Sequence, residues 1–173
     1  MITLMLALWL AAAPSPGIQK FEQINEHLYR GAQPVEEGFK ALAKMGIRTI
    51  LDLRDKAQQS RSEKQLVESL GMRFVTVPMS MHAPTDGEMA HVLALLNASE
   101  GWPVFVHCQG GRDRTSVVIA CYRIAHDGWT NQKAYNDARQ HGISMFDVGL
   151  RRYILRYKNP SAPSPGSPAS SGK

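Results

Sequence analysis

Val104-Phe105-Val106-His107-Cys108-Gln109-Gly110-Gly111-Arg112-Asp113-Arg114-Thr115-Ser116 is the stretch that decides how this chain folds. Three β-branched or aromatic residues in succession read as a short buried strand, and the apolar spacing after Thr115, which runs to Ala125, is that of a helix. A glycine-bearing loop therefore joins a strand end to a helix start. Backbone N–H groups of such a loop turn inward with no carbonyl to bond, and the helix N-terminus adds its positive end. The expected product is an anion cradle built from Gln109, Gly110, Gly111, Arg112, Asp113 and Arg114.

Cys108 opens the loop and Arg114 closes it, which puts a thiol at the floor of the bowl and a bidentate guanidinium at its rim. A free thiol titrates near ~8.5, and helix N-termini with neighbouring cations bring it to roughly 3.5–7.5, so Cys108 is expected as a thiolate nucleophile. The spacing Cys-x5-Arg-Thr, preceded by His, resembles the signature of the cysteine-dependent phosphatases, in particular the small dual-specificity type. That resemblance implies a phosphotyrosine-phosphatase-like α/β fold and hydrolysis of a phosphate monoester through a thiophosphoryl-Cys108 intermediate. It implies no metal and no organic cofactor. Two other readings of the loop stand beside it: a buried, inert Cys108 with Arg114 in a surface salt bridge, and sulfur transfer on a rhodanese-like loop, which is usually shorter.

At 173 residues and 43% apolar content the chain suits one monomer-sized α/β domain. The formal charge of +5 includes Lys173 in the tail, and the basic residues are scattered and not striped, which argues against nucleic acid and admits an anionic substrate. Two cysteines make no disulfide framework, and the six histidines show no metal-ligand spacing. Cys121 falls in the helix after the loop, on the order of 10 Å along its axis, too far from Cys108 for a disulfide, and is expected to serve packing.

Residues 1–17 open with an apolar run, Met1 to Ala13, without a charged side chain, then Pro14-Ser15-Pro16-Gly17. Such a run is too short to cross a bilayer core of about 30 Å and suits a secretory signal peptide, with a membrane anchor or a mis-assigned start as alternatives. Cleavage would place the protein in the periplasm or outside the cell; otherwise it is cytoplasmic. Residues 18–158 make the expected phosphatase domain. Residues 159–173, rich in Pro, Ser, Ala and Gly, read as a disordered tail.

Within the domain, a first strand is expected over His27 to Gly31, then a helix from Pro34 with Val35, Phe39, Leu42 and Met45 on one side. A strand from Ile47 to Leu53 follows and ends at Arg54-Asp55; a helix begins at Ser62 with Leu66, Val67 and Leu70 inward. Arg73 to Val77 is the third strand. Thr85-Asp86-Gly87-Glu88 is a capping box that opens a helix carrying Met89, Val92, Leu93, Leu95 and Leu96. After the signature loop come helices over Arg114 to about His126, Thr130 to about Gln140, and Ser144 to about Tyr157, the last with Ser144 and Asp147 as a second capping box.

Strands alternating with helices predict a mainly parallel central sheet flanked by helices, with ligands beyond the carboxyl ends of its strands. Three connections leave such ends: Arg54-Asp55, Met79 to Pro84, and Cys108 to Arg114. Parallel strands bring all three to one mouth.

The resemblance also implies a general acid, in most relatives an Asp on a mobile loop ahead of the Cys. The matching stretch here, Val77 to Pro84, holds no carboxylate. Three candidates are left: His82, usually no more than a solvated loop residue; Asp86, which the capping box already accounts for; and Asp113. An Asp immediately before the loop Arg resembles the Cys-x4-Asp-Arg signature of the myotubularin-type phosphatases, where it is thought to be the acid. Its other role is a helix cap near Ser116 or Val117. His107 is expected to orient the loop by a hydrogen bond and not to react, and Thr115 to bond the Cys108 sulfur, a role similar to that of the family's hydroxyl residue. The resemblance places Ser116 where the family usually has Gly. Tyr29-Arg30-Gly31-x-x-Pro and Ile50-Leu51-Asp52-Leu53-Arg54 look like segments of bacterial, plant and fungal atypical dual-specificity phosphatases, which makes Arg30, Arg54 and Arg112 candidates for a positive field around the substrate, with an ordinary surface charge as the alternative for each. The substrate is a phosphorylated protein, a phosphoinositide or a soluble inositol phosphate. A binding module that holds phosphate esters without turnover is the alternative from another class.

Overall fold

The computed structural model describes residues 17–55 and 57–158. The apolar segment ahead of Gly17 and the tail from Asn159 lie outside the described residues. Among the described residues, no helix is long and apolar enough to cross a membrane.

Five strands form one sheet: β1 (Glu22–Gln23), β2 (Leu28–Ala32), β3 (Thr49–Asp52), β4 (Arg73–Thr76) and β5 (Val104–Cys108), in the order β1-β2-β5-β3-β4. All neighbours pair in parallel except β1 with β2. β5 is central because all five of its residues are buried, the pattern of a strand covered on both faces. Its register sets Cys108 beside Ala32 and His107 beside Asp52.

The strand period of two sorts the core into two layers. Val104, Val106 and Cys108 join Leu51, Met89, Val92, Val117 and Leu150, the layer under α3 (Asp86–Asn97), α4 (Asp113–Ala125), α5 (Asn131–Gln140) and α6 (Val148–Arg156). Phe105 joins Ile50, Phe39, Leu42 and Val67, the layer under α1 (Glu36–Lys44) and α2 (Ala57–Ser69). α4 is the pivot of the first layer: every residue from Arg114 to Tyr122 is buried, so it has no solvent face along this run.

Several boundaries differ from expectation. α1 starts at Glu36, and Val35 is its N-cap, 69% exposed, so this residue is outside the apolar stripe. α2 begins at Ala57, well before Ser62, with no acidic residue in its first turn to announce it. The Thr85–Glu88 capping box forms as read, with Glu88 N donating to Thr85 Oγ1 at 3.2 Å and Thr85 N to Glu88 Oε2 at 2.7 Å. The second capping box does not. α6 starts at Val148, and Asp147 alone caps it by accepting from Leu150 N at 2.9 Å, while Ser144 lies in the preceding loop. The two-residue β1 was not anticipated; it is too short to carry a period.

Candidate active site at the β5–α4 loop

The chain leaves β5 at Cys108 and enters α4 at Asp113, with Arg112 as N-cap. Three carbonyls of the loop are engaged by neighbouring donors. Gln109 O accepts from Gln33 N at 3.2 Å, Gly111 O accepts from Arg30 Nη2 at 2.9 Å, and Cys108 O lies 3.2 Å from His107 Nδ1. Among the described residues, the N–H groups of Gly110, Gly111, Arg112, Asp113 and Arg114 bond no acceptor. Cys108, which precedes them, is itself only 3% exposed. Gly111 makes this loop possible: its φ is +63°, and a β-carbon there would lie 2.5 Å from Ala32 N and 2.6 Å from Gly31 O.

Arg114 marks the mouth. Its Nη1 donates to Met79 O at 3.3 Å, lies 3.5 Å from Leu53 O, and pairs with Asp55 Oδ1 at 3.5 Å. One guanidinium thus touches the three connections that follow β3, β4 and β5, which is the convergence that parallel strands require. Asp55, half-exposed on this rim, was not among the residues picked out from the sequence, although the Arg54-Asp55 turn was. The Nε of Arg114 is buried without a hydrogen-bond partner, a donor left for a ligand.

Beneath the loop lies a buried charge network. Asp52 Oδ1 accepts from Arg54 N at 2.9 Å and Nε at 2.8 Å, and its Oδ2 accepts from Arg54 Nη2 at 2.8 Å and Ser60 Oγ at 2.7 Å. Arg54 Nη2 also donates to Glu63 Oε2 at 2.6 Å, and Glu63 Oε1 pairs with His107 Nε2 at 2.8 Å. Both ring nitrogens of His107 face oxygens, Nδ1 the Cys108 carbonyl at 3.2 Å and Nε2 the Glu63 carboxylate at 2.8 Å. His107 thus lies between the carbonyl of Cys108 and the α2 carboxylate. Burial works to raise the Asp52 pKa, but the bonds from Arg54, the charge of His107 and the Ser60 hydroxyl outweigh it and hold this carboxyl below its ordinary range. Burial likewise works against the charge of Arg54, and the bonds to Asp52 with the charge of Glu63 leave its pKa raised.

Arg54 must accordingly be reassigned. At 1% exposure, with both carboxylates on its fork, it is neither a cation facing substrate nor a surface charge. Asp52, Glu63 and His107 are also the described residues grouped closely enough to hold a metal ion. The Arg54 guanidinium already bridges the two carboxylates and supplies the positive charge they need.

Arg30 departs from expectation in the same way. It is fully buried, and Nη2 donates to Gly111 O and, at 2.8 Å, to Ser116 Oγ, so it braces the loop from behind. Burial lowers its pKa, against the charge of Glu22 and Asp137. Ser116, in place of Gly, thus contributes the hydroxyl that holds Arg30. Thr115 Oγ1 is buried with no hydrogen-bond partner, so the expected bond to the Cys108 sulfur is not formed. Asp113 is not the cap of α4: its Oδ1 accepts from Ser144 N at 2.7 Å and ties the α5–α6 loop to the signature loop. Asp86 Oδ1 accepts from Tyr153 Oη at 3.2 Å beside α6, and His82 is exposed, its N donating to Ser80 Oγ at 3.2 Å. Arg112 is exposed at the rim. Cys121 is fully buried, with no disulfide, and burial raises its pKa, which makes it an inert packing residue.

This chain is 28% identical over 139 residues to the dual specificity protein phosphatase TpbA of Pseudomonas aeruginosa, a match that covers 79% of the chain and 61% of the relative. It is 27% identical over 123 residues to the phosphatidylglycerophosphate phosphatase PTPMT2 of Arabidopsis thaliana, covering 69% and 54%. The chain thus spans little more than half the length of these curated relatives. The crystal structure of the core catalytic domain of the PP-IP phosphatase SIW14 from S. cerevisiae superposes with a TM-score of 0.74 at 20% identity, over 82% of this chain and 86% of that one, and shares the fold. A family model described as a DSP-PTPase phosphatase fused to NAD+ kinase matches residues 11–148, most of the sequence, and the chain belongs to that family.

Proposed function

We propose that the chain hydrolyses phosphate monoesters with Cys108 as nucleophile. The observation that carries this reading is the loop itself: five consecutive N–H groups without acceptors follow a buried thiol, while the carbonyls of Cys108, Gln109 and Gly111 are engaged by His107, Gln33 and Arg30. Fixed donors of this kind meet the three equatorial oxygens of a transferring phosphoryl group without reorganisation. Arg114 adds the bidentate cation. Its present contacts to Met79 O, Leu53 O and Asp55 are long, between 3.3 and 3.5 Å, and yield at little cost when a phosphate offers a full charge.

The Cys108 sulfur forms a bond to phosphorus as the bond to the ester oxygen breaks, and the leaving alkoxide or phenoxide takes a proton. Asp113 is assigned this proton transfer: Oδ1 is anchored by Ser144 N, and Oδ2 keeps no protein partner among the described residues. The same carboxylate then takes a proton from the water that attacks phosphorus, and the thiolate departs. Asp86 is engaged by Tyr153 and His82 sits on an exposed bend, so neither offers comparable placement on the loop. The names of TpbA and PTPMT2 support a phosphate monoester carried by a protein or by a small molecule.

The test is hydrolysis of an aryl phosphate without added metal by the protein and its Cys108→Ser form. Turnover lost in the variant, with vanadate inhibiting the native protein as a trigonal bipyramidal mimic, is the expected result. Orthophosphate binding without turnover in the reduced native protein would refute hydrolysis and leave a phosphate-binding module.

A further inference from the structure

Beside the signature loop the chain presses two cationic side chains against one glycine. A β-carbon at Gly142, in the loop between α5 and α6, would lie 3.3 Å from Lys20 Nζ and 3.4 Å from Arg112 Cδ, so an ammonium and the stem of a guanidinium both border this glycine. Arg112 then runs back over the cradle. Its Nε and Nη2 would be 3.4 and 3.8 Å from a β-carbon at Gly110, two residues from Cys108.

Neither cation is neutralised. Lys20 and Arg112 are both exposed, and among the described residues neither has an ion pair or a hydrogen bond. Lys40, Lys64 and Arg123, by contrast, each pair with a carboxylate one helical turn away. The backbone departs from the ordinary to hold the pair. Lys20 is the described non-glycine residue with positive φ, at 54°, a conformation that bulky side chains rarely adopt and that concentrates at functional sites. Gly142, at φ +84°, carries no side chain to separate the two. Two like charges kept together at the lip of an anion cradle repel, and a multiply charged anion between them removes that repulsion.

We propose that Lys20 and Arg112 form a second anion subsite, and that the Cys108 centre prefers an ester carrying a second phosphate next to the one removed. This rests on the phosphatase reading and narrows its substrate class. A phosphate dianion satisfies the Arg112 fork and the Lys20 ammonium together, whereas a monoester with a neutral remainder leaves both unanswered.

The experiment compares kcat/KM for a myo-inositol bearing two vicinal phosphates with that for myo-inositol monophosphate, in the full chain and in Lys20→Met and Lys20→Arg. The expected preference for the bisphosphate is about tenfold or more, the worth of one charge-assisted contact. Lys20→Met removes most of it through KM, and Lys20→Arg keeps it. A ratio unchanged by Lys20→Met overturns the subsite, as does a native protein that prefers an acidic phosphotyrosine peptide to the bisphosphate. Aryl phosphate turnover is run alongside, and its absence counts against the Cys108 mechanism alone. In that event the subsite is judged by calorimetry on Cys108→Ser: pyrophosphate must bind more tightly than orthophosphate and lose that advantage when Lys20→Met is added, and equal affinities overturn it.

Discussion

Replacing Glu63 by glutamine asks whether the network beneath the loop is held by charge or only by shape. Glu63, 5% exposed, accepts from Arg54 Nη2 at 2.6 Å and Gln33 Nε2 at 3.1 Å, and its Oε1 lies 2.8 Å from His107 Nε2. Glutamine keeps the volume and one acceptor oxygen but turns an amide N–H toward a cation. Arg54 retains its two side-chain hydrogen bonds to Asp52, so the loss falls mainly on His107. Breaking a buried ion pair from one side costs about 3–5 kcal/mol, and the retained oxygen places this variant near the lower end. That is a large part of a total stability of about 5–15 kcal/mol. With a urea slope of about 2 kcal/mol/M, the unfolding midpoint falls by roughly 1.5 M. The pH profile supplies a second arm. Asp52 has its pKa lowered by folding, so its contribution is full above its unfolded value near pH ~4 and is lost as pH falls through the lower folded value. Glu63→Gln leaves Arg54 and Ser60 on Asp52 and keeps this acid limb, whereas Asp52→Asn removes it. A midpoint change under about 0.3 M urea in Glu63→Gln, or an acid limb intact in Asp52→Asn, would refute the argument.

Two further predictions concern the loop. Gly111→Ala forces a side chain at φ +63° into the backbone of Gly31 and Ala32, so vanadate affinity and aryl phosphate turnover fall together, by at least about a hundredfold if the cradle opens; unchanged vanadate affinity counts against the cradle. Asp113→Asn depresses hydrolysis of an alkyl phosphate by about 100- to 10,000-fold and that of an ester with a good leaving group far less, and equal losses for both exclude Asp113 as the acid.

What was legible in the sequence is what neighbouring residues carry together. The β5–α4 unit needs only consecutive positions: three apolar residues for a buried strand, glycines for the turn, and helical spacing after Thr115. The parallel sheet followed from alternation, and the shared mouth followed from the parallel sheet. Boundaries without local chemistry were missed. α2 opens at Ala57 with no capping signal, and β1 has two residues. At α6 two residues offered themselves as a cap, and the nearer, Asp147, took the role while Ser144 gave its N–H to Asp113.

The charged residues are harder, because exposure is not a local property. Arg30, in the middle of β2, and Arg54, two residues past β3, read like any arginine beside a strand, yet both are buried, Arg30 against Gly111 and Ser116 and Arg54 between Asp52 and Glu63. Glu63 carried the one signal that was available. It lies four residues before the buried Val67 and three after the buried Ser60, on the inward face of α2, and a carboxylate there must find a cation. Its cation is Arg54, and its other oxygen lies 2.8 Å from Nε2 of His107, next to the nucleophile proposed for this fold. A carboxylate on the core face of a helix, in a chain whose signature loop begins with His-Cys, thus points to the support of the site by the same reasoning that finds the loop. It places part of that support on the α2 layer of the sheet, while α4, which carries the loop, packs on the other. Loop geometry and sheet packing are therefore coupled through β5, and substitutions beneath α2 are expected to reach Cys108 through His107 without touching the mouth.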